Sequence, residues 1–282
     1  MMLNPALIPA NVAVVTGGAS GIGFAAARAF AGLGMKVAVA DSDAEALKAA
    51  GQVLATLVGA ENVLAMTADV SHREEVVALQ EAVTGRFGRV HVLMNNAGIQ
   101  RESGIFGPET VWQQTLAVNL GGVVNGTQIF GPAMAAHGDP ALIVNTGSKQ
   151  GITTPPGNPA YNVAKAGVKV FTEALQHELR NMPGCKLSAH LLIPGFVFTP
   201  LTARGRVEKP DGAWTPEQTV DFMLERLHAG DFYILCPDGE TSRATDERRM
   251  AWAMGDIIAN RPPLSRWHQD YKAAFEDFAS GR

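Results

Sequence analysis

The sequence has little cysteine, no excess of basic charge and no long hydrophobic run. Its 282 residues include two cysteines, Cys185 and Cys236, which lie far apart in the chain. This spacing fits neither a metal site nor a disulfide framework, so we expect a reducing compartment and two buried apolar thiols. The formal net charge of -4 argues against nucleic acid or an anionic membrane as the main partner, because both attract basic surfaces.

Membrane, export and metal signals are also missing. No apolar run approaches the roughly 18 residues of a transmembrane helix. The first ten residues, MMLNPALIPA, hold two prolines and no basic residue, unlike a secretory signal peptide. The seven histidines show no metal-ligand spacing, so no metal is predicted. We therefore expect a soluble, cytoplasmic protein.

The sequence does contain a regular alternation of short apolar runs and longer amphipathic segments. This alternation predicts an α/β fold, a doubly wound parallel sheet of about seven strands with helices on both faces. No linker or repeat interrupts it, so 1–282 is expected to form one domain. Strands are predicted at 12–16, 36–40, 63–67, 90–95, 141–146, 186–193 and 232–236. Helices are predicted near 21–33, 43–58, 72–86, 109–136, 159–181 and 215–229.

After the last run, residues 237–282 predict a helical extension. Two helices are expected there, at 244–259 and 265–279. The aromatic residues of this extension are expected to pack it onto the body of the protein or onto a second subunit. These residues are Trp252, Trp267, Tyr271, Phe275 and Phe278.

A glycine-rich segment, TGGASGIG, follows the first apolar run and opens a helix. Gly17, Gly21 and Gly23 therefore lie in a strand–turn–helix context. Free backbone N–H groups and the helix dipole favour a pyrophosphate at such a turn. The segment predicts a Rossmann-like dinucleotide site.

An acid follows at the expected distance. Asp41 ends the second apolar run, where a dinucleotide-binding fold places the carboxylate that binds the adenosine ribose hydroxyls. A carboxylate there repels the 2′-phosphate of NADP, and residues 18–20 supply no Arg or Lys, so NAD is favoured. The alternative is that Asp41 only caps the next helix, as Ser42 or Asp43 could also do.

The stretch YNVAK places Tyr161 and Lys165 on one face of a helix. A free tyrosine, with a pKa of about 10, is ionised in only about one molecule per thousand at pH 7. An ammonium group about 4 Å away contributes roughly 4 kcal/mol to phenolate stability, close to three pKa units before desolvation. We expect Lys165 to bring the pKa of Tyr161 near neutrality for acid–base work. The alternative is a buried tyrosine beside a snorkelling lysine.

Six segments, in order, resemble the short-chain dehydrogenase/reductase family over residues 10–236: TGGASGIG, NNAG at 95–98, Asn119 in VNL, Ser148, YNVAK, and PGFVFT at 194–199. The resemblance is to the single-domain, NAD-preferring type. It implies Tyr161 as acid/base, Lys165 on the nicotinamide ribose, Ser148 on the substrate oxygen and Asn119 holding a relay water. The cofactor-binding residues that it implies are Gly17, Ser20, Gly21, Ile22, Gly23, Asp41, Asp69, Val70, Asn96, Tyr161, Lys165, Val197 and Thr199.

The resemblance implies an NAD-dependent oxidoreductase that interconverts a secondary alcohol and a ketone, and a homodimer or homotetramer. An NADP-dependent carbonyl reductase and a non-catalytic dinucleotide-binding regulator remain alternatives. Lys149, beside Ser148, either attracts an acidic substrate, points to solvent or pairs with a carboxylate. The substrate pocket is expected within 196–230, from Phe196, Phe198, Leu201, Arg204, Arg206, Lys209 and Trp214.

Overall fold

The computed structural model describes residues 4–203, 205–239 and 241–280. Seven strands form one parallel sheet in the order β3-β2-β1-β4-β5-β6-β7, which confirms the predicted fold class. The strands are β1 (Val12–Thr16), β2 (Lys36–Asp41), β3 (Val63–Thr67), β4 (Val92–Asn95), β5 (Ala141–Thr146), β6 (Leu187–Ile193) and β7 (Tyr233–Leu235).

Burial on both faces explains why the strands are nearly continuous apolar runs. Every residue of β1 is buried. Successive side chains of a strand point to opposite faces, so Ala13 and Val15 enter one core while Val12 and Val14 enter the other. Helices that bury an apolar face cover each side of the sheet.

The helices divide between the two faces. One core contains side chains of α1 (Gly21–Gly32), α2 (Ala44–Val58) and α9 (Pro216–Ala229). The other contains side chains of α3 (Arg73–Phe87), α5 (Gly122–Ala136) and α7 (Pro159–Asn181). In the described ranges, no helix has the length and hydropathy of a membrane span. The remaining helices are α4 (Glu109–Leu116), α6 (Gln150–Thr153), α8 (Pro200–Ala203), α10 (Arg243–Ile258) and α11 (Lys272–Ser280).

Two predicted helices are wrong in detail. The helix expected at 109–136 is divided by a π-helical turn, Ala117–Gly121, which separates α4 from α5. The helix expected at 265–279 is regular only from Lys272, and two short 3₁₀ turns precede it. His268, between the two turns, adopts an extended backbone, so a continuous helix from 265 is interrupted there. Cys185 is only half-buried, unlike Cys236.

The C-terminal extension packs largely on itself. Trp252 of α10 is buried, and its ring lies 5.4 Å from the ring of Phe275 and 5.3 Å from that of Phe278, measured between centroids. The guanidinium of Arg261 stacks 4.1 Å above the same indole. These contacts join α10 to α11, whereas the prediction placed the aromatic residues against the body or a second subunit. Trp267 remains 40% exposed.

A carboxylate holds this arrangement together. Asp256 accepts hydrogen bonds from the Ser265 amide at 3.0 Å, the Ser265 hydroxyl at 2.5 Å and Arg261 Nε at 2.9 Å. Burial alone raises the pKa of Asp256, but the bonds from Ser265 and Arg261 outweigh burial and hold that pKa below its usual value. The ionised form is therefore the one that the fold stabilises.

Asp256→Asn is expected to lower the free energy of unfolding by about 2 kcal/mol, because charge-assisted bonds to a buried group are lost. A depressed carboxyl pKa stabilises the fold above the unfolded value of about 4, and this contribution disappears as the pH falls through the folded value. The difference from wild type should thus shrink below about pH 4. Urea unfolding at pH 7 and pH 3 measures both effects, with the exposed Asp277→Asn as control. An equal loss at both pH values would contradict the role of the charge.

Candidate active site

A cleft of about 590 Å³ opens at the carboxyl edge of the sheet. The strand order reverses there, with β1 between β2 and β4, and ligands of open α/β sheets bind at such a point. Among the predicted site residues, Gly23 and Asn119 lie behind the cleft wall. The structure brings the others together along the cleft: Gly17, Ser20, Gly21, Ile22, Asp41, Asp69, Val70, Asn96, Ser148, Tyr161, Lys165, Val197 and Thr199.

Close packing explains the glycines of the first turn. A Cβ on Gly17 (φ 62°) would lie 2.7 Å from Ala97 Cα, and one on Gly23 would lie 2.0 Å from the Gly17 carbonyl oxygen. The small residues of NNAG thus let the loop after β4 pack directly against the glycine turn. Ser20 is the N-cap residue of α1, but its exposed side chain makes no capping bond. The start of α1 therefore presents N–H groups and a free hydroxyl to the cleft.

Asp41 is held by backbone amides at the far end of the cleft. Its Oδ2 accepts a bond from Ala19 N–H at 3.0 Å, and its Oδ1 accepts one from Asp43 N–H at 3.1 Å. Asp43, not Asp41, caps α2 through a 3.0 Å bond from Ala46 N–H, so the helix-cap alternative is wrong. A carboxylate accepts about four hydrogen bonds, which leaves Asp41 free to accept from hydroxyls.

The predicted adenine and ribose residues are fixed by their own contacts. Asp69 Oδ1 accepts bonds from the amide and hydroxyl of Ser71, at 2.9 and 2.7 Å. The Asn96 amide donates to the Gly17 carbonyl at 3.2 Å and accepts from the Thr146 hydroxyl at 3.3 Å. The side chain of Asn96 therefore holds the glycine turn, and its amide keeps one N–H and one acceptor position for a ribose.

Ser148, Tyr161 and Lys165 converge at the other end of the cleft. Asn158 caps α7 and accepts a 3.4 Å bond from Tyr161 N–H, so the phenol lies in the first helical turn. The Ser148 hydroxyl forms a hydrogen bond with the phenol. Lys165 Nζ donates to the Thr146 carbonyl at 2.7 Å and lies 5.8 Å from the centroid of the Tyr161 ring.

Burial dominates the protonation of this group. It raises the pKa of Tyr161 to about 12, against the opposing effect of the Ser148 hydrogen bond, and lowers the pKa of Lys165 to about 8. The expectation that Lys165 by itself brings the tyrosine near neutrality is therefore wrong for this structure. Desolvation of two buried side chains outweighs their mutual attraction. At neutral pH the phenol carries its proton and the lysine is still mainly an ammonium ion.

Asn119 lies fully buried inside the π-helical turn. Its side-chain oxygen accepts a 2.7 Å bond from Ile99 N–H, and its amide donates to the Ile99 carbonyl at 2.8 Å. Both polar groups of the side chain therefore hold Ile99, and each has one further hydrogen-bond position. The relay water at Asn119 stays a prediction. Ile99 itself lines the cleft.

Comparison with known proteins identifies the family. The family model for short chain dehydrogenases matches residues 11–209, which hold the glycine turn, Ser148, Tyr161 and Lys165. The chain belongs to the short-chain dehydrogenase family.

Three similar proteins illustrate the range of this family. Over 170 residues the chain is 41% identical to SadH of Mycobacterium tuberculosis, which is named as an oxidoreductase, and the match spans 60% of either chain. It is 33% identical over 223 residues to the 3-oxoacyl-[acyl-carrier-protein] reductase FabG of Thermotoga maritima, covering 79% of this chain and 84% of that protein. A short chain dehydrogenase/reductase from Burkholderia phymatum, solved in complex with NAD, has a TM-score of 0.82 and 31% identity, covering 91% of this chain and 97% of that one.

The end of the cleft beside Ser148 and Tyr161 differs from the expected pocket. Leu201 lines the cleft as predicted. Trp214 instead packs edge-on against Phe222 at 5.8 Å, and Lys209 Nζ donates to the Ala213 carbonyl at 2.9 Å, so both have structural contacts. Arg204 lies outside the described residues, and Phe196, Phe198 and Arg206 do not line the cleft.

The opposite wall was missed from the sequence. It comes from the segment after NNAG and from α4 with the π-helical turn that follows it. A local signal existed for its first part, because the segment directly follows a motif expected to border the cofactor. The lining residues of this wall are Ile99, Arg101, Gln113, Gln114, Ala117 and Val118.

Lys149 pairs with two carboxylates. Its Nζ lies 2.8 Å from Asp238 Oδ1 and 2.6 Å from Asp246 Oδ2. The alternative, that Lys149 attracts an acidic substrate, is wrong because the ammonium is occupied by two acids of the protein itself.

Proposed function

We propose that this dehydrogenase uses NAD to interconvert a secondary alcohol and a ketone. The observation that carries the proposal is the joint placement in one cleft of Ser148, Tyr161 and Lys165 at one end and Asp41 at the other. A reacting carbon bound beside the phenol would lie where the nicotinamide of an extended dinucleotide ends.

The cleft residues fit this cofactor along its length. The α1 N-terminus and Ser20 suit the pyrophosphate, and Asp41 has acceptor positions left for the adenosine ribose. Asp69 has an oxygen left for the adenine amino group. Among the described residues lining the cleft, the basic ones are Arg101 and Lys165, on the loop after NNAG and on α7, so none faces Asp41 to favour a 2′-phosphate.

The protein's part in the chemistry is proton transfer and positioning. When bound, the nicotinamide supplies or accepts the hydride and, in its oxidised form, adds a positive charge. The Tyr161 phenol gives its proton to the substrate oxygen during reduction and takes it back during alcohol oxidation. The Ser148 hydroxyl binds the same oxygen and stabilises the charge that develops on it. The Lys165 ammonium favours the phenolate that oxidation requires.

A burial-raised pKa makes the protonated phenol the resting form at neutral pH. That is the acid needed for ketone reduction, so reduction should be the faster direction at pH 7 and oxidation should gain at higher pH. This preference agrees with the reductase name of the Thermotoga maritima relative, which is 33% identical. An NADP-dependent carbonyl reductase is the second candidate on that ground, and Asp41 argues against it.

Fluorescence titration with NADH and with NADPH tests the cofactor. We expect NADH to bind at least about tenfold more tightly, since a 2′-phosphate facing Asp41 costs more than about 1.4 kcal/mol. A panel of ketones with NADH, and of secondary alcohols with NAD, then tests turnover. Tighter NADPH binding would favour the NADP-dependent reductase. NADH binding without turnover of any ketone or alcohol would favour the non-catalytic regulator.

A further inference from the structure

A buried ion cluster lies directly behind the catalytic serine position. It consists of Lys149, Asp238 and Asp246, whose side chains are 14%, 19% and 6% exposed. The ammonium bridges both acids, at 2.8 Å to Asp238 and 2.6 Å to Asp246. Arg249 approaches Asp246 at 3.8 Å from one turn further along α10. Because these three side chains are largely buried, water cannot readily replace an ion-pair partner that is removed.

The cluster contacts both segments that border the reacting end of the cleft. Lys149 follows Ser148 in the chain, and its own N–H donates to the Pro194 carbonyl at 3.1 Å. The second oxygen of Asp238 accepts a 3.0 Å bond from Phe196 N–H, just before Val197. A Cβ on Gly195 would lie 2.1 Å from that oxygen, so the segment after β6 presses closely on the acid.

Two members of the cluster, Asp238 and Asp246, come from outside the family's matched region, and Asp246 belongs to the C-terminal extension's own helix. Asp246 lies in the first turn of α10, whereas the family model ends at residue 209. We propose that α10 of the C-terminal extension is a positioning element of the active site, with Asp246 acting through Lys149 on Ser148 and, with Asp238, on the segment at 194–197. The inference rests on the proposed catalytic role of Ser148.

The charges of the cluster depend on one another. Burial raises the pKa of Asp238, but bonds from Lys149 and Phe196 outweigh burial, so that pKa is lowered. At Asp246 burial prevails over the attraction of Lys149, and the pKa is raised. Loss of Asp246 would leave Lys149 held only by Asp238 and free to shift towards it. A displacement of Ser148 by about 1 Å is enough to slow a positioned reaction by about 100-fold.

The test uses Asp246→Asn, which keeps the size of the side chain and removes its charge. We expect kcat for ketone reduction to fall about 10- to 100-fold, while the Kd for NADH changes less than about threefold. Amide hydrogen exchange should accelerate at Lys149 and Phe196, the two amides that hold the bordering segments. Asp246→Glu should recover part of the turnover, because the charge is retained. The matched control is Glu247→Gln, the next residue of α10, which forms an exposed pair with Arg243.

A double variant separates coupling from general destabilisation. If Asp246 acts through Lys149, then Lys149→Met together with Asp246→Asn should cost no more turnover than Lys149→Met alone. Additive losses would overturn the proposal, as would Asp246→Asn with wild-type kcat and wild-type exchange. If Asp246→Asn does not fold, Lys149→Met gives the same kcat and exchange readings, and wild-type values there would also overturn it.

The proposed function can fail separately. If the wild-type protein reduces no ketone of the panel, the proposed activity is contradicted. The amide hydrogen exchange rates of Lys149 and Phe196 still decide whether α10 positions these segments. They are compared between the Asp246→Asn and Glu247→Gln variants. Unchanged exchange in both variants would then overturn the inference.

Discussion

Tyr161→Phe is expected to lower kcat at least about 1,000-fold while the Kd for NADH stays within about threefold. The substitution removes the hydroxyl that transfers the proton and keeps the ring, which fills the same buried space at the start of α7. Acid–base catalysis of this kind contributes about 100- to 10,000-fold, and the loss of the Ser148 hydrogen bond adds to it. Steady-state reduction of the best ketone of the panel, with NADH titration alongside, measures both quantities.

Tyr233→Phe is the matched control. Tyr233 lies on the outer strand β7 and does not line the cleft, and its hydroxyl donates to Glu173 at 2.6 Å. Tyr233→Phe should therefore leave kcat unchanged. If Tyr161→Phe retained a tenth of wild-type turnover, the proton would have to come from another group, and the assignment of Tyr161 would be wrong.

The same residue sets the expected pH dependence. Burial raises the pKa of Tyr161 to about 12, so the phenolate that accepts a proton in alcohol oxidation becomes more abundant as the pH rises. Oxidation should therefore gain rate with pH and reduction should not. Burial lowers the pKa of Lys165 to about 8, so its ammonium loses its charge over the same pH range. The phenolate is then stabilised less, and the oxidation rate increases less steeply with pH. In Tyr161→Phe the rise in oxidation rate should disappear, and any pH dependence that remains would come from Lys165.

The sheet and the cofactor end were predictable because their signals are local. The inner strands β1, β4 and β5 are short apolar runs because both of their faces are buried. The glycine turn is needed because Gly17 packs directly against Ala97. Asp41 stands at a fixed place after that turn. The sequence could not show which aspartate caps α2, because Asp41 and Asp43 have the same side chain. In the structure Asp41 accepts a hydrogen bond from Asp43 N–H, and Asp43 accepts the capping bond from Ala46 N–H.

The parts that sequence reasoning missed depend on long-range contacts or on burial. The π-helical turn adds one residue to a turn around Asn119, whereas the sequence of 109–136 was interpreted as one continuous helix. The pairing of Lys149 with Asp246 joins distant segments and leaves no local pattern. The pKa of Tyr161 was predicted from its neighbour Lys165, whereas the structure shows that desolvation has the larger effect.

Asp41→Asn is expected to weaken NADH binding about 10- to 100-fold, because hydrogen bonds to a charged acceptor contribute about 1.5–3 kcal/mol. NADPH binding should weaken less or improve, because a negative charge facing the 2′-phosphate is removed. The preference for NADH should therefore fall by at least about tenfold. Fluorescence titration of both cofactors against the variant and the wild type gives the four dissociation constants needed.

The ratio of the two affinities, rather than either one, is the decisive quantity. Asp41 also accepts the bond from Ala19 N–H that shapes the glycine turn, and loosening this turn would weaken both cofactors equally. Asp43→Asn serves as the control, because it removes the neighbouring charge and alters the α2 cap without touching the turn. An unchanged ratio in Asp41→Asn would mean that its carboxylate orders the turn but does not select the cofactor. A ratio that falls only in Asp41→Asn would assign the selection to the charge at this one position.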